Sequence, residues 1–415
     1  LWHGIVNSIM KIYLVGGAVR DKLLGIPVKD RDWLVVGSSV EEMLALDYQQ
    51  VGKDFPVFLH PDSKEEYALA RTERKSGKGY TGFKVHADKS VTLEEDLLRR
   101  DLTINAMAED QDGKLVDPLN GRQDLDNKIL RHVSDAFTED PLRVLRVARF
   151  AARFHHLGFT IADETMQLMQ ELSSGEELEH LINERIWTET GNALREKSPQ
   201  VYIQVLENCK ALVKILPEVA NLFGVAQPAK YHPEIDTGIH TLMVLEQASL
   251  LSTDTLVRFA ALMHDVGKGA IPEQQRPNFQ GHEELGAELI NSACQRIKAP
   301  NDYRDLAKMT SLYHTRCHRA DRHGAEEIFE TLELTDAYRK PDRFAQFLLA
   351  CEADSRGRLG LENIPYPQAG LLAKALEASN KVDARQFVEQ GYKDAEIGEQ
   401  VRIKRLQLIS VHLNQ

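Results

Sequence analysis

The pattern of apolar and polar positions changes character once along this chain. Between residues 11 and 116, short β-type runs such as KIYLVGG and DWLVVG alternate with turns rich in Gly, Pro and Asp. Two segments there, AVRDKLLG and SVEEMLAL, have helical periodicity. From about Asp140 onward, apolar residues recur every three or four positions, which is the spacing of amphipathic helices. The pattern predicts an α+β protein with a small α/β head and a long all-α body.

This change of pattern divides the chain into five predicted parts. They are 1–9 as an extension or mis-set start before Met10, 10–139 as the head, 140–230 as a helical neck and body, 231–340 as a separate all-α domain, and 341–415 as a helical tail. No apolar run reaches the roughly eighteen residues of a membrane span, and the four cysteines are scattered singly. We therefore expect a cytoplasmic protein with no membrane partner.

The net charge of −12 argues against indiscriminate binding to nucleic acid. Affinity for phosphates depends on where the basic residues cluster, however, so the overall balance does not exclude a local basic surface. One such cluster consists of Arg71, Arg74, Lys75 and Lys78.

A glycine pair, Gly16-Gly17, ends the first predicted strand and leads into a helix that carries Arg20. Such a turn lets the backbone approach phosphates closely, and the helix N-terminus and the arginine add positive potential. By itself this signal is weak, because most glycine turns are only turns.

Two aspartates, Asp30 and Asp32, follow at the start of the next predicted strand. Residues two apart in a strand point to the same side, so the pattern predicts two carboxylates on one face. Like charges so close are costly unless a cation lies between them, and oxygen ligands suit Mg²⁺. The alternative is a charged turn in which Lys29 and Arg31 neutralise the pair.

The segment EDPLR places Asp140 and Arg143 three residues apart, on one face of a predicted helix. Cytosine and adenine both present an exocyclic amine beside an unprotonated ring nitrogen. A carboxylate that accepts and a guanidinium that donates complement that edge and repel uracil and guanine. The simpler interpretation is that Asp140 caps the helix and Arg143 is solvated.

A second group of candidate ligands lies in the helical half. His264 and Asp265 adjoin near the end of an apolar helix, His240 lies on the preceding helix, and Asp354 follows much later. Histidines and carboxylates drawn from several helices are typical of a metal site. His282 and His314 are additional candidates, although surface or packing roles are commoner for single histidines.

Five stretches together resemble a known family. LVGGAVRD…KDRDW is similar to the nucleotidyltransferase signature of the polymerase-β superfamily. ARTERKSGKGYTGF, EEDLLRRDLTINAMA, VDPLNGRQDL and EDPLRVLRVARFAARF then resemble the class II CCA-adding enzymes in order and spacing. The resemblance implies a polymerase-β-like head that adds C, C and A to the 3′ end of tRNA from CTP and ATP by two-metal transfer.

The same resemblance implies roles for individual residues. Asp30 and Asp32 would bind Mg²⁺, with Glu66 as the candidate third carboxylate. Asp140 and Arg143 would select the base, and Arg153 is left as solvated or tRNA-facing. The other implied nucleotide contacts are Gly17, Arg20, Arg100, Arg146 and Arg149. For Arg100 the alternative is a salt-bridged helix entry beside Thr103 and Asn105.

The segment around His264 resembles the HD phosphohydrolases, an all-α domain that some bacterial CCA-adding enzymes carry. This implies that His240, His264, Asp265 and Asp354 hold a second divalent metal, often Ni²⁺. It also implies 2′,3′-cyclic phosphodiesterase, 2′-nucleotidase and phosphatase activity. Two other functions stay open: a poly(A) polymerase that uses ATP alone, and a non-catalytic RNA-binding head. Both a monomer and a homodimer are compatible with the sequence.

Overall fold

The structure, a computed structural model, describes residues 10–51, 57–75, 83–276 and 278–413. The predicted extension 1–9, and residues 76–82 of the stretch ARTERKSGKGYTGF, which include Lys78, lie outside the described residues. The chain divides into two compact units. The first runs to Glu189 and includes Val205–Ala211, and the second comprises Thr190–Gln204 and the chain from Leu212. Within these ranges, no helix has both the length and the apolar character needed to cross a membrane.

A seven-stranded mixed sheet forms the centre of the first unit, in the order β3-β4-β5-β2-β1-β8-β9. All neighbours run antiparallel except β2 and β5, which are parallel. Two further pairs are β6-β7 and β10-β11. The strands are β1 (Lys11–Val15), β2 (Asp32–Val36), β3 (Gln49–Gln50), β4 (Val57–Leu59), β5 (Glu66–Leu69), β6 (Thr72–Lys75), β7 (Phe83–His86), β8 (Ala108–Glu109), β9 (Leu115–Val116), β10 (Ile129–Leu130) and β11 (Thr160–Ile161).

Helices follow the sheet, as the change of pattern predicts. Those of the first unit are α1 (Gly17–Leu23), α2 (Val40–Ala45), α3 (Leu93–Leu98), α4 (Gly121–Asn127), α5 (Leu142–Phe154) and α6 (Asp163–Ser174). Two helices, α7 (Asn183–Arg195) and α8 (Pro199–Asn208), carry residues of both units. The α+β fold class is confirmed. The segment EEDLLRRD contains α3, which begins with a capping box of Thr92 and Glu95.

In the described residues of the second unit, helices joined by loops form the structure, with one isolated β-bridge between Ala226 and Asp236. Its helices are α9 (Leu212–Ile215), α10 (Pro217–Ala220), α11 (Thr237–Leu251), α12 (Thr255–Met263), α13 (Val266–Ala270), α14 (His282–Ile297), α15 (Asn301–His318), α16 (Ala325–Leu334), α17 (Pro341–Arg356), α18 (Pro367–Ser379), α19 (Arg385–Glu389) and α20 (Ala395–Leu413). Helices α11, α12, α15 and α17 pack against one another around a buried core.

The central strand β2 is buried on both faces. Leu34 packs into one apolar cluster with Val15 and Leu97, and Val35 packs into another with Phe58. A strand so enclosed cannot shift by one residue without exposing both clusters. The ends of β2 are therefore fixed positions.

The prediction that Asp30 and Asp32 share a strand face is wrong. Strand β2 begins at Asp32, which pairs with Val15 on one side and with Glu66 on the other. Gly16 turns the chain away from the sheet after Val15, with φ of 67°, and β5 begins only at Glu66. Neither neighbouring strand extends far enough to pair with Asp30, which therefore lies in the preceding loop.

Candidate functional site

A cleft of about 640 Å³ opens at the edge of the head sheet where β1 ends and β2 and β5 begin. We call it the head cleft. Gly17 lines it, together with nine arginines and four carboxylates. These are Arg20, Arg71, Arg99, Arg100, Arg143, Arg146, Arg149, Arg153 and Arg185, with Asp32, Glu66, Asp101 and Asp140. Its surface is thus strongly basic around a small acidic centre, which suits a polyanion held with a cation.

The acidic centre consists of Asp32 and Glu66. The two residues are direct partners in the parallel register of β2 and β5, so their side chains leave the sheet on the same face. Burial raises the pKa of Asp32, Arg100 lowers it, and the nearby charge of Asp30 raises it further. The structure therefore brings Asp32, Glu66 and the charge of Asp30 together, although Asp30 itself does not line the cleft.

The glycine pair makes room for two guanidinium groups. A Cβ at Gly16 would lie 2.7 Å from Nη1 of Arg100, and one at Gly17 would lie 3.4 Å from Nη2 of Arg20. The positive φ of Gly16 adds a second reason for glycine there. The turn therefore allows Arg20 and Arg100 to lie directly beside the backbone at the start of α1.

Buried acidic partners hold the cleft arginines in place. Arg20 is 3% exposed and pairs with Asp21 at 2.8 Å, and its Nη1 also donates to the side-chain oxygen of Asn105. The remaining pairs are Arg100 with Asp96 at 3.2 Å, Arg146 with Asp101 at 2.7 Å, Arg149 with Glu189 at 2.7 Å, and Arg153 with Asp21 at 2.8 Å. The cleft arginines and their acidic partners thus form a network of ion pairs. Sequence reasoning missed its acidic half, although the RRD triplet at 99–101 was a visible signal.

Aromatic rings pack against the guanidinium groups of two of these arginines. The guanidinium of Arg149 lies 4.5 Å from the ring centre of Phe150, and that of Arg20 lies 5.0 Å from the ring centre of Phe154. Cation–π contacts of this kind fix the plane of a guanidinium without neutralising its charge. The arginines are therefore pre-oriented.

Asp140 is separated from α5 by Pro141, and its carboxylate accepts a hydrogen bond from the backbone N–H of Leu142, the first residue of the helix, at 3.1 Å. It also forms an ion pair of 2.9 Å with Arg185 of α7, a residue that sequence reasoning did not single out. Arg143 is buried rather than solvated, and it donates to the backbone carbonyls of Ala136, at 2.7 Å, and of Arg99. Solvation of Arg143 is thus a wrong expectation, because its position on α5 points it into the loop carbonyls.

The second site lies wholly within the helical unit, and we call it the histidine cluster. It consists of His240 on α11, His264 and Asp265 between α12 and α13, His282 at the start of α14, His314 and His318 on α15, and Asp354 on α17. Oδ1 of Asp354 lies 3.1 Å from Nε2 of His240 and 3.7 Å from Nε2 of His264. The predicted set of His240, His264, Asp265 and Asp354 is thus brought together.

His282 and His314 also face this centre, contrary to the packing roles expected of them. Their Nε2 atoms lie 3.5 Å and 3.6 Å from Oδ1 of Asp265. Four helices and the junction between α12 and α13 supply the residues of the cluster, which are far apart in the sequence, so no local pattern predicts that they converge. His318, whose Nε2 lies 2.6 Å from Asp354, was missed for the same reason.

Unsatisfied atoms indicate what the cluster is built to hold. Among the described residues, Nε2 of His264, Oδ1 of Asp265 and Nε2 of His282 are buried without a hydrogen-bond partner. When it carries no proton, each of these atoms can donate a lone pair to a metal. Buried polar atoms in proteins are otherwise almost always paired. The residues therefore fit a divalent cation.

Charge and protonation in the cluster agree with that fit. Burial lowers the pKa of His314 to about 3, so its ring is neutral at physiological pH and able to bind a metal. Burial would raise the pKa of Asp265, but Lys268 and His264 hold it well below the usual range. The neutral imidazole of His314 thus lies beside the ionised carboxylate of Asp265, a combination of donors that suits a hydrolytic metal centre.

An outer carboxylate orients His240. The Nδ1 atom of His240 lies 3.0 Å from Glu234 and 2.9 Å from the carbonyl oxygen of Gly357, which leaves Nε2 directed at the centre. Such an arrangement fixes the tautomer of a metal-binding histidine.

Comparison with known families matches three parts of the chain. Residues 12–131 match the poly A polymerase head domain, 158–223 match the probable RNA and SrmB-binding site of polymerase A, and 237–346 match the HD domain.

Several relatives match nearly the whole chain. The multifunctional CCA protein of Hahella chejuensis is 58% identical over 400 residues, which is 96% of this chain and 95% of the relative. That of Pseudomonas fluorescens is 57% identical over 406 residues, 98% of this chain and 99% of the relative.

Solved structures share the fold at lower identity. A CCA-adding enzyme in an apo form aligns with a TM-score of 0.69 and 19% identity, covering 99% of this chain and 89% of that one. The Thermotoga maritima CCA-adding enzyme in complex with tRNA aligns with a TM-score of 0.65 and 19% identity, covering 100% and 89%.

Proposed function

The chain belongs to the family of the multifunctional CCA proteins, and from this we propose that it adds C, C and A to the 3′ end of tRNA from CTP and ATP. It is an enzyme that combines a nucleotidyltransferase head with a metal-dependent phosphohydrolase domain of the HD family. The observation that carries the proposal is the head cleft, which nine arginines line and in which Asp32 and Glu66 are neighbours on paired strands.

Nucleotidyl transfer needs a nucleoside triphosphate held in line with the 3′-hydroxyl of the RNA. In this proposal Arg20 and the backbone at Gly17 bind the triphosphate, and Arg100, Arg146 and Arg149 complete its cradle. The acidic partners of these arginines keep them fixed before the nucleotide arrives, so little reorganisation accompanies binding.

Asp30 and Asp32 are the proposed metal-binding carboxylates, with Glu66 as the third. Mg²⁺ held there would favour loss of the proton from the attacking hydroxyl and neutralise charge on the leaving pyrophosphate. The raised pKa of Asp32, due first to burial, is consistent with a carboxylate placed to face a cation. The register of β2 and β5 supports a role for Glu66.

Base choice is assigned to Asp140 and Arg143, which line the same cleft. The carboxylate of Asp140 would accept from the exocyclic amine of cytosine or adenine, while Arg143 would donate to the adjacent ring nitrogen. Capping does not exclude this role, because the contact with Leu142 uses one oxygen only.

The histidine cluster is the proposed site of 2′,3′-cyclic phosphodiesterase, 2′-nucleotidase and phosphatase activity. His240, His264, Asp265 and Asp354 are the proposed metal ligands. His282 and His314, which lie near Oδ1 of Asp265, would be additional ligands. A divalent ion there, Ni²⁺ in this proposal, would activate water for attack on phosphorus. Lys268, whose Nζ lies 2.6 Å from Asp265, keeps that carboxylate ionised.

The domain bounds 10–139, 140–230, 231–340 and 341–415 remain part of this proposal. A family match for the HD domain at 237–346 is consistent with the third of them.

The test is incubation with tRNA lacking CCA and with each of the four nucleoside triphosphates, with products resolved to one nucleotide. We expect addition of two C residues with CTP and complete CCA with CTP and ATP together. A long tail made from ATP alone would identify a poly(A) polymerase instead. No incorporation with any nucleotide would leave a non-catalytic RNA-binding head.

A further inference from the structure

Arg185, one of the cleft arginines, forms an ion pair with Asp140, which is itself a proposed base-selecting group. It is the third residue of α7, and its guanidinium spans both oxygens of the Asp140 carboxylate. The distance from Nη2 to Oδ2 is 2.9 Å, and that from Nη1 to Oδ1 is 3.5 Å. Both side chains are about one quarter exposed, at 26% and 23%, so the pair lies at the wall of the cleft.

The same face of α7 braces α5 at a second point. Glu189, four residues after Arg185, lies 2.7 Å from Arg149 and 3.7 Å from Arg146. Residues four apart share one face of a helix. One turn of α7 therefore fixes both the carboxylate at the start of α5 and the arginines that follow on that helix.

The hydrogen bonds that the Asp140 carboxylate already accepts limit the number of further donors that it can bind. A carboxylate has about four acceptor positions. The N–H of Leu142 takes one, at 3.1 Å, and Arg185 takes two. One position remains, which suits a single N–H donor such as the exocyclic amine of cytosine or adenine.

We propose that Arg185 is a specificity-determining positioning residue that locks the Asp140 carboxylate in the orientation that reads the amine of the incoming base. This inference rests on the proposed function, in which Asp140 selects the nucleotide. Without Arg185, the Asp140 carboxylate keeps its described hydrogen bond from the N–H of Leu142 but loses its two-point anchor, so it can rotate or bind water. A bridging water donates as well as accepts, so uracil and guanine would no longer meet a purely repulsive group.

The experiment compares Arg185→Ala, Arg185→Lys and the control Arg195→Ala. Arg195 is an exposed residue at the other end of α7, and its guanidinium donates to the side-chain oxygen of Asn192. For each variant, kcat/KM is measured with CTP, ATP, UTP and GTP on tRNA lacking CCA and on tRNA lacking the final A. We expect Arg185→Ala to raise the use of UTP and GTP relative to CTP and ATP by about tenfold. Arg185→Lys keeps the charge but not the two-point contact, so it should fall in between. Arg195→Ala should match the wild type.

A double-mutant cycle with Asp140→Ala tests whether Arg185 acts through Asp140. If it does, adding Arg185→Ala to Asp140→Ala leaves the ratio of wrong to right nucleotide unchanged. An equal loss for all four nucleotides in Arg185→Ala, or additive effects in the double variant, overturns the inference. Should Arg185→Ala fail to fold, unaltered selection in Arg185→Lys overturns it.

These outcomes are distinct from failure of the proposed function. Absence of C and A addition by the wild-type protein, or unaltered selection in Asp140→Ala, would contradict the function itself. Loss of selection in Asp140→Ala, with selection intact in Arg185→Ala, would remove only the role of Arg185.

Discussion

At the scale of single residues, the head cleft depends on carboxylates that lie close together at its centre. Asp32 pairs with Glu66 in the parallel register of β2 and β5, and burial and the charge of Asp30 both raise the pKa of Asp32. Carboxylates placed so close together repel one another, and a bound cation would relieve that repulsion.

Replacing Asp30 or Asp32 with Ala should therefore abolish addition of both CMP and AMP, because the two reactions would share one metal centre. The fold should persist, since removing one of several repelling carboxylates relieves charge. Incorporation of labelled CTP and ATP, measured alongside thermal melting, checks both statements. Near wild-type transfer by either variant would contradict the proposed metal site.

Asp140 allows a sharper residue-level prediction. Asp140→Ala should lose discrimination against UTP and GTP more than it loses rate, by about 1–3 kcal/mol per contact. Asp140→Asn is the matched control, because its side-chain oxygen can still accept from Leu142 and preserve the cap. If Asp140→Ala melts at a lower temperature yet selects normally, capping is the main role of this residue.

At the scale of elements, α5 is attached to the head through the ion pair between Asp101 and Arg146. Burial tends to raise the pKa of Asp101, but Arg146 and the side chain of Asn105 lower it well below the usual range. A carboxyl whose folded-state pKa is depressed stabilises the fold above its unfolded pKa and loses that contribution as pH falls towards the folded value.

We therefore expect the stability of the first unit to decline as pH drops below about 4. Asp101→Asn should lower the free energy of unfolding near neutral pH by about 2 kcal/mol, the value of a hydrogen bond to a charged group. It should also flatten the decline in acid. Urea unfolding at pH 7 and pH 3 measures both effects, and parallel pH profiles for the two proteins would show that Asp101 is not the titrating group.

Helix α11 is linked to the loop before it by the contact between His240 and Glu234, whose Nδ1 and carboxylate oxygen lie 3.0 Å apart. Burial would raise the pKa of Glu234, but the bond with His240 and backbone N–H groups lower it to about 2, so this carboxylate is ionised at neutral pH. Glu234→Gln should weaken divalent-metal binding by about 10–100-fold, since outer carboxylates orient histidine ligands. Metal titration followed by calorimetry measures this directly. Glu273→Gln, an exposed change in the same unit, is the control, and equal affinities for both variants would exclude the orienting role.

At the scale of the whole molecule, each site is lined by residues of one compact unit. Every residue of the head cleft precedes Glu189, and every residue of the histidine cluster follows Leu212. The two chemistries should therefore be separable by mutation.

Asp265→Ala should remove hydrolysis of 2′,3′-cyclic nucleotides while CCA addition stays within about tenfold of the wild type, or about 1.4 kcal/mol. The competing expectation is that Asp265 serves mainly to orient a buried histidine, in which case both activities and stability fall together. Both activities and the melting temperature should be measured on one preparation, with and without added Ni²⁺. Loss of addition in step with a lower melting temperature would reject separate sites.

The sequence by itself determined the fold class and the family. Short apolar runs between turns favour strands, and a 3.6-residue period favours helices, so the head and the helical body followed from local pattern. Motifs such as EDPLR and the adjoining His264-Asp265 are local as well, because their residues are neighbours in the sequence.

Only the tertiary structure decided which side chains meet. Glu66 lies beside Asp32 because β2 and β5 pair in register, Arg185 reaches Asp140 from another helix, and His314 turns from α15 towards Asp265. Strand β2 begins at Asp32 and leaves out Asp30, because β1 ends at Val15 and β5 begins at Glu66, the two partners of Asp32. Each of these contacts joins residues from different elements, and their distances depend on packing that no single stretch of sequence encodes.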